Sequence, residues 1–238
     1  MINLLKVELK TLFGKSLSKI SIVLTIVIGI FFGLMNMLNE EPSCAGVFEY
    51  TLMLLAYLPA IPGFYLSKDY TNNTIRNKII VGNKRINIYL SKLIAVIIFC
   101  FLCTILFLSS SIISNIIFIG TEGINTKALI YGIILTLFGV ISVASITTFI
   151  SMSIKSEAGG LAPVLIIYLT LMFYIVGMEF FDENIMNVLN NILPFGQVMT
   201  LNVFEVPKDV LFKTICMIGQ VLVTSSLGYA IFRKTDLK

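Results

Sequence analysis

The chain has 238 residues, of which 57% are hydrophobic and 13% charged, with a net charge of +4. A soluble domain normally has about a quarter of its residues charged, so lipid must solvate much of this protein's surface. The chain contains no histidine, which removes most metal sites and the commonest general base. We therefore expect a membrane protein that is not itself an enzyme, needs no cofactor and binds no nucleic acid.

Residues 1–19 predict an amphipathic helix that lies in the membrane interface. Lys6 and Lys10 are four residues apart and share one face, where they would reach the lipid headgroups. The opposite face is apolar at helical spacing, with Ile2, Leu5, Leu9, Leu12 and Phe13. A simple basic anchor is an equally good interpretation of this segment, and the two interpretations are compatible.

Six apolar stretches are long enough to cross a bilayer as helices, which takes about 20 residues each. Only Glu49 is charged within them, and it lies near an end; a charge at the centre of a span costs about 2.5–3.5 kcal/mol. The stretches predict an all-α polytopic membrane protein with one domain. The predicted transmembrane helices are 20–38, 47–66, 93–119, 128–154, 161–178 and 214–232.

The basic residues indicate how these spans are oriented. The loop 68–92 carries six basic residues against the single acid Asp69, so a segment this polar is expected to lie in water. Lysine and arginine collect on cytoplasmic loops, and most of those in this chain precede the first span, occupy this loop or follow the last span. Both termini and the loop 68–92 are therefore expected to be cytoplasmic.

Two features inside the spans favour close helix packing but leave its partner open. Gly29 and Gly33 form a G-x-x-x-G pattern in the first span, which suits packing within one subunit or a dimer contact. The outer half of the third span carries a polar patch that lines a substrate path or forms hydrogen bonds between helices. Its members include Ser110, Ser111, Ser114 and Asn115.

The segment 179–213 predicts an outer re-entrant helical hairpin before the last span. Ile185, Val188 and Ile192 share one helical face, with asparagines on the other. Pro194 and Gly196 then interrupt the helix, and residues 197–204 are expected to form a second short amphipathic piece. Backbone of this kind at membrane depth must be buried in protein or wet.

Within the loop 68–92, a short amphipathic helix is predicted with Ile75, Ile79 and Ile80 on one face. One of Thr71, Asn72 and Asn73 would cap its start, and Gly82 would end it, because glycine tolerates the left-handed conformation. Such a helix fits a groove in a partner protein or lies on the membrane surface. Periodicity and charge alone do not separate these alternatives and slightly favour the surface.

The order of residues in this loop resembles the first cytoplasmic loop of ABC-2-type transporter permeases. The matching segment is 68–93, KDYTNNTIRNKIIVGNKRINIYLSKL. It has an acid, a turn, a Thr-Ile-Arg-x-Lys stretch, a small turn and a basic segment with a tyrosine that leads into the third span. The resemblance extends to the N-terminal helix, the six spans, the outer hairpin and the 228–238 ending. Asn73 stands where the family commonly has glycine.

The resemblance implies that this loop holds a cytoplasmic coupling helix, which docks on a separate ABC ATPase subunit. The residues that it assigns to ATPase coupling are Thr74, Ile75, Arg76, Lys78, Ile79, Ile80 and Gly82. Ile75, Ile79 and Ile80 would make the buried contact, while Arg76 and Lys78 would pair with acids at the rim of the cleft.

The family further implies a bacterial cell membrane, a second permease that is a copy or a paralogue, and export of a peptide, drug or lipid-like substrate by alternating access. The alternatives are a six-helix substrate-capture subunit of a vitamin-type importer, and a non-transport scaffold or membrane-stress sensor.

Overall fold

The computed structural model describes residues 1–39, 44, 46–207 and 209–234, and all regular structure in these ranges is helical. The helices are α1 (Ile2–Gly14), α2 (Ser16–Leu38), α3 (Val47–Tyr57), α4 (Ala60–Thr71), α5 (Thr74–Ile80), α6 (Arg85–Phe118), α7 (Thr126–Ser153), α8 (Ala158–Phe180), α9 (Glu183–Ile192), α10 (Pro194–Met199) and α11 (Val210–Lys234).

Six stretches of helix are long and apolar enough to cross a membrane, and they match the six predicted spans. They are Ser16–Leu38, Tyr50–Thr71, Arg85–Phe118, Thr126–Ser153, Ala158–Phe180 and Val210–Lys234. The prediction of an all-helical, multi-pass membrane protein is therefore confirmed. Part of the predicted tail, residues 235–238, and the acids Glu40 and Glu41 lie outside the described residues, as does the side chain of Glu49.

The second span is divided into α3 and α4 by a break at Leu58 and Pro59. Proline has no backbone N–H and cannot donate to the carbonyl of the preceding turn. Pro59 and Pro62 therefore remove two donors, three residues apart, from this part of the helix. The chain continues as a helix from Ala60, where the N–H of Gly63 donates to the Pro59 carbonyl over 2.9 Å.

The core is formed where α6 and α7 pack against each other and against the remaining spans. The helix α2 packs on α6, α11 packs on α7, and α4 packs on α8. Large apolar side chains on the outer faces of α2, α8 and α11 stay exposed, as expected for faces that contact lipid. A Cβ atom at Gly63 would lie 2.5 Å from the Gly160 carbonyl oxygen, so this glycine permits the close approach of α4 and α8.

The ends of the spans meet at two opposite faces of the bundle. At the face that carries α5, Arg85 at the start of α6 donates to the Arg233 carbonyl near the end of α11 over 2.8 Å. At the other face, which carries α9, the Asn125 N–H donates to the Val203 carbonyl over 3.0 Å. We refer to these as the α5 face and the α9 face.

Two short helices separate the fifth and sixth spans, but the second begins earlier than predicted. The prediction placed the second piece at 197–204, whereas α10 begins at Pro194. Proline suits the first position of a helix because its φ is already helical and because an N–H at that position would have no acceptor within the helix. The helix α10 is also buried over most of its length, so it is a core element and not an amphipathic one.

Candidate functional site

The α5 helix is a short element on the surface of the α5 face; no side chain caps its start, but its end is well defined. Asn73 enters it in the left-handed conformation with φ of 54°. At the other end, Gly82 has φ of 96°. The N–H of Gly82 donates to Ile79, and that of Asn83 donates to Lys78. These paired bonds form the Schellman motif that commonly ends helices at a glycine, and they confirm the predicted stop at Gly82.

The predicted coupling residues do not all lie on the surface. Ile75 is 1% exposed and belongs to the protein's own core, and Ile79 is partly buried against that core. Ile80, in contrast, is 71% exposed. A partner therefore cannot contact Ile75 in this conformation, so the idea that Ile75, Ile79 and Ile80 together face a partner has to be corrected. The apolar stripe at helical spacing mainly attaches α5 to the bundle.

The tip of α5 presents a different surface. Val81 is 81% exposed and lies beside Ile80, while Arg76 and Gly82 are also exposed. Thr74 is partly buried and donates from its hydroxyl to the Asp69 carbonyl over 3.0 Å, which helps to fix the start of the helix. The exposed tip therefore combines two apolar side chains with a guanidinium group.

Beneath α5 lies a buried cluster of four charges, Glu8, Asp69, Lys78 and Lys92, which we call the charge cluster. Lys78 Nζ lies 2.6 Å from Glu8 Oε1 and 3.8 Å from Asp69 Oδ2. Lys92 Nζ lies 3.3 Å from Glu8 Oε2 and also contacts Asp69 Oδ2. Each lysine therefore faces both carboxylates, and the cluster has no net charge when all four groups are ionised.

The cluster corrects two expectations about the basic loop. Lys92 is 0% exposed, so this part of the loop does not lie in water. Lys78 was expected to pair with acids of a partner, but it pairs with Glu8 and Asp69 of the same chain. Among the described residues, Arg76 remains the basic side chain of α5 that is exposed to a partner.

A tyrosine completes the cluster on the α4 side. The hydroxyl of Tyr65 donates to Glu8 Oε2, and the ring is approached by two ammonium groups. Lys15 Nζ lies 4.8 Å and Lys92 Nζ 5.1 Å from the ring centroid, within the range of cation–π attraction. Tyr65 is 1% exposed, so it also excludes water from the carboxylate of Glu8.

Glu8 stays ionised in this environment. Burial raises the pKa of its carboxyl group. The ammonium groups of Lys92 and Lys78 and the hydrogen bond from Tyr65 together lower the pKa by more than burial raises it. The net result is a pKa below the ordinary value. A buried carboxylate of this kind is stable only while its partners remain in place.

The cluster joins four helices at one point: Glu8 is on α1, Asp69 on α4, Lys78 on α5 and Lys92 on α6. Replacing a whole buried ion pair by apolar residues is often neutral, whereas removing one partner costs about 3–5 kcal/mol. The cluster therefore couples the positions of α1, α4, α5 and α6 strongly while adding little net stability. A displacement of α5 must move the other three helices or break ion pairs.

The predicted polar patch on α6 lies in the core near the α9 face and takes part in helix packing. Asn115 Oδ1 accepts from Asn36 of α2 over 2.9 Å. The Ser114 hydroxyl lies 3.4 Å from the Gly29 carbonyl oxygen, and those of Ser114 and Ser110 donate to α6's own carbonyls. Ser111 is fully buried beside them.

The G-x-x-x-G glycines pack against this patch within the same chain. Added Cβ atoms at Gly29 and Gly33 would lie 2.0 and 1.9 Å from the hydroxyls of Ser110 and Ser114. Of the two alternatives for the glycine pair, internal packing therefore accounts for its contacts. Of the two alternatives for the polar patch, hydrogen bonding between helices accounts for the contact of Asn115 with Asn36.

In the part of the chain that the structure describes, no three histidine, cysteine or acidic side chains come together in a way that would hold a metal ion. Comparison with known proteins adds no identification. No protein-family model matches the chain, and no curated protein matches it significantly. The geometry of the α5 face and the resemblance of the loop sequence are therefore the features that point to a function.

Glu8 is the residue of this site that sequence reasoning missed. It stands among the apolar positions of α1, three residues after Leu5 and four before Leu12, on the face that packs inward. A single acid on the apolar face of a basic helix is a detectable signal for a buried ion pair. Its partners, at 70 and 84 residues' separation, were not identifiable from spacing.

Proposed function

We propose that this chain is the membrane-spanning permease subunit of an ABC-2-type exporter, driven by a separate cytoplasmic ATPase. The loop sequence supports this proposal, as do the six spans and the separate N-terminal helix α1. The single observation that carries it is α5, a short terminated helix whose base joins a buried charge cluster and whose tip exposes Ile80 and Val81. On this proposal the α5 face is cytoplasmic.

The surface that docks on the ATPase is the tip of α5, with Arg76, Ile80 and Val81. Two apolar side chains this exposed gain from burial in a groove, by about 25 cal/mol for each Å² of apolar area removed from water. Arg76 supplies a guanidinium that forms two parallel hydrogen bonds with a carboxylate. Ile75 and Ile79 act on the other side of the helix, where they attach it to the bundle.

The charge cluster carries the movement from α5 into the spans. When the ATPase pair closes on ATP, it pushes α5, and Lys78 moves with it. Because Lys78 and Lys92 share the carboxylates of Glu8 and Asp69, the start of α6 and the end of α4 follow. Two permease chains that move in this way switch between inward- and outward-facing states.

Co-purification with substitution of an exposed α5 residue tests the proposal. The chain is expressed together with an ABC ATPase that co-purifies with it, and Val81→Asp is expected to release that ATPase. The matched control is Val206→Asp on the α9 face, where the side chain is 43% exposed and the ATPase should stay bound. Both variants change an exposed valine, so folding is disturbed little in either.

Full retention of the ATPase by Val81→Asp, with substrate-stimulated ATP hydrolysis intact, would contradict the assignment of α5 as the docking helix. Tight binding of a small vitamin by the purified single chain would contradict the proposed function and favour the importer alternative. Absence of substrate-stimulated ATP hydrolysis in the reconstituted complex would favour the scaffold or sensor alternative.

A further inference from the structure

A polar cavity of about 530 Å³ opens on the α9 face, between α9, the segment that follows α10 and the start of α11. We call it the α9 cavity. Its volume falls in the range of small-molecule sites, roughly 300–1,000 Å³. Four of its lining side chains are amides, Asn187, Asn190, Asn191 and Asn202. Amides both donate and accept hydrogen bonds, so the cavity suits a ligand rich in polar oxygens.

The wall of the cavity contains a second buried lysine, Lys213, which is 6% exposed. Its ammonium donates to the hydroxyl of Thr200 over 2.7 Å. No carboxylate in the described ranges forms an ion pair with the Lys213 ammonium. The carboxylate of Asp209 attracts it electrostatically, but from beyond ion-pair distance. Lys213 also lies in the first turn of α11, where the positive end of the helix dipole disfavours a cation.

A buried ammonium in such a place is stabilised by an anion in the cavity. Burial of a charge is costly unless the charge is paired, and here the described partner is a neutral hydroxyl. The rim of the cavity has the opposite character, because the carboxylates of Glu205 and Asp209 are exposed there. The cavity therefore matches a ligand with an anionic group that enters first and a cationic group that stays at the rim.

The helix α9 indicates where this ligand comes from. Ile185, Val188 and Ile192 are exposed on one side of α9, and Asn187, Asn190 and Asn191 line the cavity on the other. A helix with this division lies at a membrane surface with its apolar side toward the acyl chains. The cavity is thus at headgroup level, next to lipid.

We propose that the α9 cavity binds the zwitterionic headgroup of a phosphoethanolamine lipid from the adjacent leaflet. The phosphate accepts hydrogen bonds from Lys213 and the asparagine amides, and the lipid ammonium pairs with Glu205 or Asp209. The acyl chains follow the apolar side of α9. This proposal goes beyond the proposed function and does not depend on it.

A single tryptophan reports on the cavity, since the chain has none of its own. Val206→Trp places the indole in the lining, and the fluorescence of the full-length protein in detergent is titrated with glycerophosphoethanolamine. We expect a saturable change. In the same background, Lys213→Met should weaken binding at least tenfold, whereas Lys127→Met, which removes an exposed lysine from the same face, should leave it unchanged.

Other probes separate the chemistry of the ligand. The double substitution Glu205→Gln, Asp209→Asn should weaken binding of glycerophosphoethanolamine but not of inorganic phosphate, because only the former has an ammonium group. An equal response to diglycine would show that any small zwitterion suffices, and this would overturn the assignment to a phospholipid. Lack of a saturable response, or equal effects of Lys213→Met and Lys127→Met, would overturn the site itself.

Nanodiscs distinguish the lipid from a soluble ligand of the same chemistry. In nanodiscs of phosphatidylglycerol the soluble headgroup should still bind. When phosphatidylethanolamine is included, the lipid should occupy the cavity and suppress that response. Equal binding of the soluble headgroup in both nanodiscs would exclude the lipid as the occupant.

Discussion

The two faces of this molecule each bury a lysine, and the two lysines have opposite surroundings. Lys92 on the α5 face contacts the carboxylates of Glu8 and Asp69. Lys213 on the α9 face contacts the hydroxyl of Thr200 in the wall of an open cavity. The first lysine is neutralised by its own chain, whereas the second forms no ion pair with the residues that the structure describes. A neutralised cluster joins helices to one another, whereas a buried cation in the wall of a cavity favours the binding of an anionic group.

The largest expected effect comes from removing the cation of the neutralised cluster. Lys92→Met leaves two buried carboxylates with Lys78 as their remaining cation in the cluster, and this should lower the free energy of unfolding by about 3–5 kcal/mol. Unfolding in detergent by added sodium dodecyl sulfate measures the change. Lys84→Met, in the same loop but exposed, should change it by less than about 0.5 kcal/mol. Equal effects of the two substitutions would mean that Lys92 is not held in an ion cluster.

A second substitution should recover much of that loss. Asp69→Leu combined with Lys92→Met removes one charge of each sign and leaves Glu8 paired with Lys78 over 2.6 Å. Because replacing a whole buried pair by apolar groups is often neutral, the double variant should be more stable than Lys92→Met alone. The coupling free energy in the double-mutant cycle is expected to be about 1–3 kcal/mol. Simple additivity of the two losses would contradict a direct interaction.

The same substitution on the α9 face sharpens the comparison. Lys213→Met loses one hydrogen bond to a neutral hydroxyl, and it leaves no partner carboxylate buried and uncompensated. The expected cost is about 1 kcal/mol, measured by the same unfolding assay. A loss as large as that of Lys92→Met would show that Lys213 belongs to a structural ion cluster, and the α9 cavity would then lose its argument for a ligand.

The smallest expected effect is a pH dependence of the unfolding free energy, which arises from Glu8 on the α5 face. The pKa of Glu8 in the folded protein is below its ordinary value of 4.5. Its contribution to stability is therefore present above that value and is lost as the pH falls through the folded pKa. The difference in unfolding free energy between wild type and Glu8→Gln should shrink as the pH falls below about 4.5. A difference that stays constant between about pH 7 and about pH 3 would contradict an ion-paired Glu8 in the folded protein.

The sequence predicted the spans well because long apolar runs that almost lack charged residues can be recognised without knowledge of the fold. The prediction began the third span at residue 93, after Lys92, whereas α6 already starts at Arg85. The reason is that Lys92 is neutralised by residues far away in the chain, so a charge that seemed to require water is buried. The conformational freedom of glycine predicted the end of α5 at Gly82 correctly, but apolar periodicity could not tell which isoleucines face the bundle. That division depends on which core side chains the fold places next to α5, and no local pattern encodes it.

Labelling of a single cysteine at the tip of α5 tests the central claim most directly. Val81→Cys should react with a membrane-impermeant maleimide in inside-out vesicles, and co-expression of the ATPase should slow that reaction. Val206→Cys on the α9 face should react in right-side-out vesicles and be unaffected by the ATPase. The native cysteines are buried or partly buried, so the parent protein gives the background. Labelling of Val81→Cys from the outside, or at the same rate with and without the ATPase, would contradict the assignment of α5 as the docking helix.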